Sequence, residues 1–573
     1  MTVEFVDAAL AEGQSPAAEV AQVTPASNSP DATTWSPRHS LVFAATLLAI
    51  ALVPWTVGHW PSQDGPNHLA VAHVLATYGD PGSPFPRYWS AQTGFRPSTA
   101  LYEVLSTASR VAPLHTVEKL TVSLALLLLP VSVLLFAWRA VPRRAVNVLL
   151  SLPLVLGFAF GMGFLSFQLA MAFGVIALAL GWEPRPSEAD AGRVAWRHGV
   201  ASLAYFLCVW WHPVVGLMTG LALVLLEWRA LLRRTSWPRV LVVVGPAAVF
   251  LVGAYLAAEA PPPSSVDSQG TFFSDPVSIV GSAFEYAIGY TPFELVPRIA
   301  ALLLMLRYLA RALRASPPYA AGAEAAVGRL VLAFLVLYCV LPGTLAGWKY
   351  CSARFLLYGW LLLPLAADFP PRLGRRLLAI GPALAGVVLA IQWPFIHRAS
   401  RQMEDVLDVG ASLPRGAKVL PMDFNENVLG PQPTIDAWGE LTVAHDAVAS
   451  QIFAAGRPGM GGERFRALTF RPGVIDAATG TLPWSGFEML SDVWRACADP
   501  GSPVRWFVHV EVNCVDSLAA RKSALEEVIV RYDYVLMLVP PGYAQDLIAS
   551  HLRLVSHIGS AWMYAVVRAG PPL

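Results

Sequence analysis

Long apolar runs fill this chain from Leu41 to about Pro394, and they constrain its fold more than any other feature. A helix crosses the hydrocarbon core with about 20 apolar residues, because its backbone polar groups must be satisfied within the segment. On that measure the runs predict about eleven spans. The first covers Leu41–Val57 and the second Leu120–Trp138. Ala145–Trp182 is too long for one helix and breaks at Gly157, Gly161 and Gly163, so it predicts a hairpin of two. Val200–Leu232 is likewise too long, with its break at His212-Pro213. Further spans run Val240–Ala258, Ile288–Tyr308, Leu330–Ala346, Phe355–Ala367 and Leu377–Trp393.

Composition agrees. Charged residues make up 14% of the chain, against roughly 25% in soluble domains. The formal net charge of +1 excludes a nucleic-acid binder with a basic face. The class is a polytopic α-helical membrane protein with a C-terminal external α/β domain. The expected divisions are a disordered cytoplasmic tail at 1–38, a membrane domain at 39–397 with an external loop at 58–118, and the external domain at 398–573. The tail is rich in Ala, Ser, Pro and Glu and lacks apolar periodicity. It lacks the basic segment and short apolar core of a cleavable signal peptide.

Arginines set the orientation. Arg139, Arg143 and Arg144 follow the second span, and Arg185, Arg193 and Arg197 the fourth. Arg229, Arg233, Arg234 and Arg239 follow the sixth, Arg307, Arg311, Arg314 and Arg329 the eighth, and Arg372, Arg375 and Arg376 the tenth. The loop from Glu259 to Leu295 has Asp267, Asp275, Glu285 and Glu294 but no Lys or Arg. The positive-inside rule puts the even-numbered ends in the cytoplasm. The N-terminus is then cytoplasmic, and the 58–118 loop and C-terminal domain lie outside. Arg87, Arg96, Arg110 and Lys119 in the first loop weaken that signal locally without reversing it.

The first loop carries apolar periodicity at Leu69, Val71, Ala72 and Leu75, and again at Leu101, Val104, Leu105 and Ala108. Both stretches predict amphipathic helices along the membrane face. Between them, Trp89 reads as an interfacial anchor. From His397 an α/β pattern begins: helices at Met403–Ala411, Ser517–Val530 and Tyr543–Leu552, and strands at Lys418–Met422, Pro503–Val510, Tyr532–Val539 and Ala561–Val567. The glycine-rich Gly456–Gly462 lacks the flanking strand and helix of a dinucleotide loop. Cys497 and Cys514 are either a disulfide, worth about 3 kcal/mol, or two buried thiols. No Cys or Cys/His spacing of a zinc site is present.

Asp64 sits in Trp60-Pro-Ser-Gln-Asp-Gly-Pro-Asn-His68, a polar turn just after the first span. Ionisable groups where bilayer meets water are functional candidates by default. The bland alternative is a helix N-cap, for which Asp before Gly-Pro-Asn is well suited. His68, four residues on, falls near the same helix face, or is simply a histidine at the water interface. His212 before Pro213 reads first as a structural residue at a hairpin tip. Glu103 and Glu285 are external acids without distinguishing context.

Asp64-Gly-Pro-Asn-His68, Val117-Glu-Lys-Leu120 at the second span and Tyr532-Asp-Tyr-Val-Leu536 near the end stand in a plan that resembles GT-C-type glycosyltransferases. Those enzymes take sugars from polyprenyl-phosphate carriers on the outer face. The resemblance implies a lipid-linked sugar donor, a glycan, lipid or protein acceptor, and a membrane lipid environment. It makes Asp64 the general base, with His68 orienting it or binding acceptor. Lys349 and Arg354, external cations in Gly347-Trp-Lys-Tyr-Cys-Ser-Ala-Arg354, would meet the phosphate, with Arg87 a further candidate; ordinary lipid headgroups are their other use. Many members carry paired acids in the first loop, whereas Asp64 stands alone. A divalent cation is left open, and Asp64 and His68 would hold it. Two other classes stand beside this one. A transporter or lipid flippase would place ionisable groups in mid-span, and here they collect at span ends. A non-enzymatic envelope-assembly protein would share the same plan.

Overall fold

Prolines start many of the helices, where their missing N–H costs nothing. The computed structural model describes residues 35–92, 94–183, 191–234, 236–257, 276–315, 322–343, 350–423, 431–449, 467–470, 529–538 and 552–567. Helices α1 (Pro37–Leu52), α2 (Gly65–Thr77), α3 (Ala100–Ala108) and α4 (Leu114–Ala140) come first. Two single turns, α5 (Leu152–Val155) and α6 (Phe158–Gly161), precede α7 (Leu165–Gly181). Then come α8 (Ala191–Trp211), α9 (Pro213–Leu232), α10 (Trp237–Ala257), α11 (Pro276–Glu285) and α12 (Leu295–Ala315). The helical array closes with α13 (Ala323–Val340), α14 (Cys351–Ala366) and α15 (Pro371–Val409). Among the described residues six helices are long and apolar enough to cross a membrane: Pro37–Thr56, Leu114–Ala140, Pro213–Leu232, Trp237–Leu256, Ala323–Val340 and Pro371–Val409. Helices α7 and α14 are shorter and apolar.

The break at His212-Pro213 falls where expected, with His212 extended (φ −157°) and Pro213 in the first turn of α9. The block from Ala145 to Trp182 departs from expectation. It is not a hairpin of two membrane helices. A 3-10 segment (Pro142–Ser151) leads into α5 and α6, and only α7 is a full helix. Buried polar side chains hold the carbonyls that this irregular path frees. Arg298 donates to Pro153 O (3.1 Å) and to Leu156 O, and Gln392 also donates to Leu156 O (2.8 Å). Irregular backbone at such depth is tolerated where protein groups satisfy it.

Basic groups gather at one end of the array. Arg144 pairs with Glu324 at 2.9 Å and donates to the carbonyls of Leu365 and Ala366. Glu183 pairs with Arg197 and Arg239, and Arg239 also meets Glu227 at 3.1 Å. The opposite end collects α2, the turn at 157–163, the 212 tip, and the starts of α7 and α14.

Helix α15 has 39 residues, so it extends about 58 Å, far beyond a hydrocarbon core of about 30 Å. It runs through the expected domain boundary at 397 without a break and ends beneath a sheet. Strands β1 (Trp89–Ala91), β2 (Val419–Asp423), β3 (Leu468–Phe470), β4 (Tyr534–Leu538), β5 (Leu552–Ile558) and β6 (Ala561–Val566) form two sheets. The larger is ordered β2-β4-β6-β5, with β2 and β4 parallel and the other pairs antiparallel. The strands expected at 418–422, 532–539 and 561–567 are present, and β5 is an additional one. Residues 1–34 of the expected tail, the strand at 503–510, Gly456–Gly462, Cys497 and Cys514 lie outside the described residues, as do most of the helices at 517–530 and 543–552, whereas Pro37 and Arg38 already begin α1.

The first loop is built into the protein's core. Its strand β1 pairs antiparallel with β3, with Trp89 opposite Phe470. Trp89 is fully buried against Phe85 (ring centroids 5.7 Å apart), so it is a core residue rather than an anchor. Helices α2 and α3 form as expected, but α2 is buried on two faces. Leu69 and Ala72 join the membrane core, whereas Ala70, Val71 and Val74 join Met403, Val406 and Leu536 in a second core.

The short helix α16 (Gly439–His445) packs on the start of α2 so closely that a Cβ on Gly439 would strike the carbonyl oxygen of Pro66. Gly439→Ala is therefore expected to lower stability by about 1–3 kcal/mol. Thermal unfolding in detergent measures it; an unchanged midpoint would show that the two helices have room to part.

Candidate functional site

The segment before α2 is pinned from three directions. Gln63 and Asp64 donate their amides to Gly161 O and Met162 O, both at 2.9 Å. The Tyr290 hydroxyl donates to Pro61 O at 2.7 Å, and Trp60 is buried against Phe160. Gln432 donates its amide to Gln63 Oε1 (2.9 Å), and Asn67 Nδ2 donates to Asp436 Oδ2 (3.1 Å). Gly163 turns at φ +78°, where a Cβ would meet Ser62 Oγ and Gly65 N, so this turn takes a glycine.

Asp64 occupies the N-cap position of α2, yet its side chain makes no capping hydrogen bond. The carboxylate is half-buried and lies within electrostatic reach of Arg354. These two sequence candidates, 290 positions apart in the chain, are thus brought together. Arg354 stands in the first turn of α14, after Tyr350, whose φ of +61° is uncommon for a residue with a side chain. Its guanidinium carbon is 5.9 Å from the Phe164 ring centroid, a cation–π arrangement.

Aromatic rings wall this arginine. Tyr350 packs edge-on against Phe158 (5.5 Å) and Tyr286 (6.2 Å), and lies 5.8 Å from Phe164. Tyr286 and Phe158 are 4.9 Å apart. From these rings a narrow apolar cleft of about 40 Å³ runs between the helices, past Leu129, Leu357 and Trp360. Sequence reading did not single out Phe158, Phe164, Tyr286 or Tyr350. They come from four separate loops and helix starts, so no spacing links them.

His212 also belongs here. Burial first, and then the Arg354 charge, push its imidazole down to about 3. It therefore stays neutral at any physiological pH, and carries one donor and one acceptor nitrogen. Glu285, beside Tyr286, has its carboxyl raised by burial, as does Glu103 in α3. His68 Nδ1 bonds the Tyr102 hydroxyl at 3.0 Å, and its amide donates to Asp64 O at 3.0 Å. Arg87 is exposed on a 3-10 turn (Phe85–Arg87). Among the described residues no contact joins it to Asp64 or Arg354. Lys349 lies outside the described residues. Among the described residues, His59, His115 and Glu440 form a group of three with metal-ligand spacing.

An acid, an arginine held by aromatic rings and a neutral histidine can together bind an anionic headgroup and accept a proton beside it. No family model and no curated protein matches the chain. It is similar to the crystal structure of ArnT from Cupriavidus metallidurans in the apo state, with 14% identity, a TM-score of 0.40, and 93% of this chain and 100% of that chain covered. The same protein bound to undecaprenyl phosphate gives 14%, 0.39, 92% and 99%. Arabinofuranosyltransferase AftD from Mycobacteria gives 12%, 0.45, 94% and 40%. These solved proteins are GT-C glycosyltransferases, the kind the sequence resembles.

Proposed function

We propose that the chain is an integral-membrane glycosyltransferase of GT-C type that moves a sugar from a polyprenyl-phosphate carrier to an acceptor hydroxyl on the outer face of a bacterial inner membrane. The observation that carries the reading is the approach of Asp64 to Arg354 at the end of the array away from the paired arginines. In this reaction the acceptor O–H attacks the anomeric carbon. The bond from that carbon to the phosphate oxygen breaks, and the carrier phosphate leaves with the electron pair. Asp64 takes the acceptor's proton. Arg354 faces the charge that develops on the departing phosphate, in a setting poor in water. Tyr350 and Phe164 hold the guanidinium plane in place.

The cleft from Tyr286 to Trp360 gives an apolar carrier tail a route into the helices, so that headgroup and tail are held at once. Sidedness follows the arginines: the end with Arg144, Arg197 and Arg239 is cytoplasmic, and the Asp64 end with the sheet is external. Helices α7, α8, α12 and α14 would bring the spans to about ten. His68, tied to Tyr102, lines the acceptor side.

Arg354→Gln should weaken binding of a polyprenyl phosphate by about 10- to 100-fold, the worth of a charge-assisted hydrogen bond. Arg354→Lys should recover part of it, keeping the charge and losing the planar fork. Binding is measured on protein in nanodiscs with titrated polyprenyl phosphate. Equal affinity in wild type and Arg354→Gln would remove the phosphate assignment.

A further inference from the structure

A second set of ligating side chains meets where three segments cross, apart from Arg354. His59 lies ahead of the Asp64 turn, His115 opens α4, and Glu440 begins α16. His59 Nδ1 and His115 Nε2 both face Glu440 Oε2, at 3.4 and 3.3 Å. The two imidazoles meet edge-on with centroids 4.4 Å apart. Ligand atoms about 2.0–2.1 Å from a tetrahedral zinc stand about 3.3–3.4 Å from one another. The two separations are therefore the edges of a zinc-sized tetrahedron.

The surroundings point the same way. Glu440 is 1% exposed and Glu118 2% exposed. Glu440 Oε2, Glu118 Oε2 and the Nδ1 atoms of both histidines are buried and make no hydrogen bond. Buried carboxylate oxygens are costly unless a partner or a metal takes them. Behind His115, Glu118 Oε2 lies 3.8 Å from Nδ1, where a carboxylate orients a metal-bound imidazole. Lys119, the neighbouring cation, is engaged by Val57 O at 2.6 Å. Glu404 adds a further acid against Gly58, next to His59.

We propose that His59, His115 and Glu440 ligate a zinc ion, with Glu118 as the residue that positions His115. Two imidazoles and a carboxylate are a donor set that suits zinc, and they leave a fourth position for water. The ion fastens α16 to the approach to Asp64 and to the head of α4. It adds to the hydrogen bonds that already join these segments, from Lys119 to Val57 O and from Asn67 to Asp436, and it does so whatever reaction the Asp64 site performs.

The test uses the full chain, carrying an affinity tag without histidines, purified in detergent and dialysed against Zn²⁺. Elemental analysis should find one zinc per chain, and the melting temperature should rise with free Zn²⁺. His115→Gln and Glu440→Gln should each lose the stoichiometric ion. Glu118→Gln should keep it with about 10- to 100-fold weaker affinity. Because the ligand variants can fold poorly, Co²⁺ in the wild-type protein supplies a second reading: an intense tetrahedral visible spectrum supports the site, and a weak octahedral one overturns it. Zinc retained undiminished by the His59→Gln/His115→Gln double variant would also overturn it.

Discussion

Asp64→Asn is expected to lower transfer by roughly 10²–10⁴-fold, the range for removing a general base. Asparagine keeps the size and the backbone contacts of the turn, and its amide cannot take the acceptor's proton. Folding should be spared. Asp64 makes no capping hydrogen bond for the change to break, and the turn is held by backbone amides on Gly161 and Met162. The kinetic signature is specific. Arg354 lies in the field of Asp64, so removing the acid's charge leaves the arginine more attractive to an anion. The lipid donor should therefore bind Asp64→Asn at least as well as wild type, with the loss confined to kcat. Arg354→Gln should show the reverse, a loss in donor binding. Turnover of a labelled polyprenyl-phosphate sugar in reconstituted membranes measures both. Wild-type kcat in Asp64→Asn would end the assignment of the base.

Glu294→Gln should destabilise the membrane domain by about 3–5 kcal/mol, the cost of stranding a buried charge. Glu294 and Arg298 are 2.6 Å apart and 0% and 1% exposed. Glu294 also accepts the amides of Gly289, Tyr290 and Thr291 at 2.7–2.9 Å, and that of Gln392 at 2.9 Å. Arg298 in turn holds Pro153, Leu156 and Ala287. The pair thus ties the irregular path through α5 to the turn that carries Tyr290 and, through it, Pro61. An apolar replacement of both partners often restores stability elsewhere. Here Arg298→Met with Glu294→Leu should not, because three backbone amides would be orphaned, each at about 1–3 kcal/mol. Thermal unfolding of the detergent-purified variants decides it, and a double variant as stable as wild type would show that the amides find other acceptors.

Some of this was legible in the sequence. Pro213 placed a break correctly because a proline fixes its own φ and strains the residue before it. The strands at Val419, Tyr534 and Ala561 were legible from short β-rich runs. The α5–α6 path was not: its glycines marked breaks, but the carbonyl partners that make an irregular route tolerable sit on Arg298 and Gln392, far along the chain. Trp89 was misread because an aromatic near a span end looks the same whether it faces lipid or a strand arriving from residue 470. Asp64 and Arg354 were each visible as charges at span ends. Their meeting was not, and the ring cluster between them left no periodic trace. His59, His115 and Glu440 share no spacing at all, since a ligand set assembled by tertiary packing carries none.

The pairing of Trp89 with Phe470, and the core that α2 shares with Met403 and Leu536, set an order of events during synthesis. The first loop is made well before the strands that cover it. In the sheet, β6 lies between β4 and β5, so a chain stopped before Ala561 leaves β4 with a bare edge. Until then Ala70, Val71 and Val74 of α2 stand uncovered, and contacts of such long sequence separation are slow to form. The strand β6 must be in place before the first loop can mature, which makes it a checkpoint for what is built upstream of it.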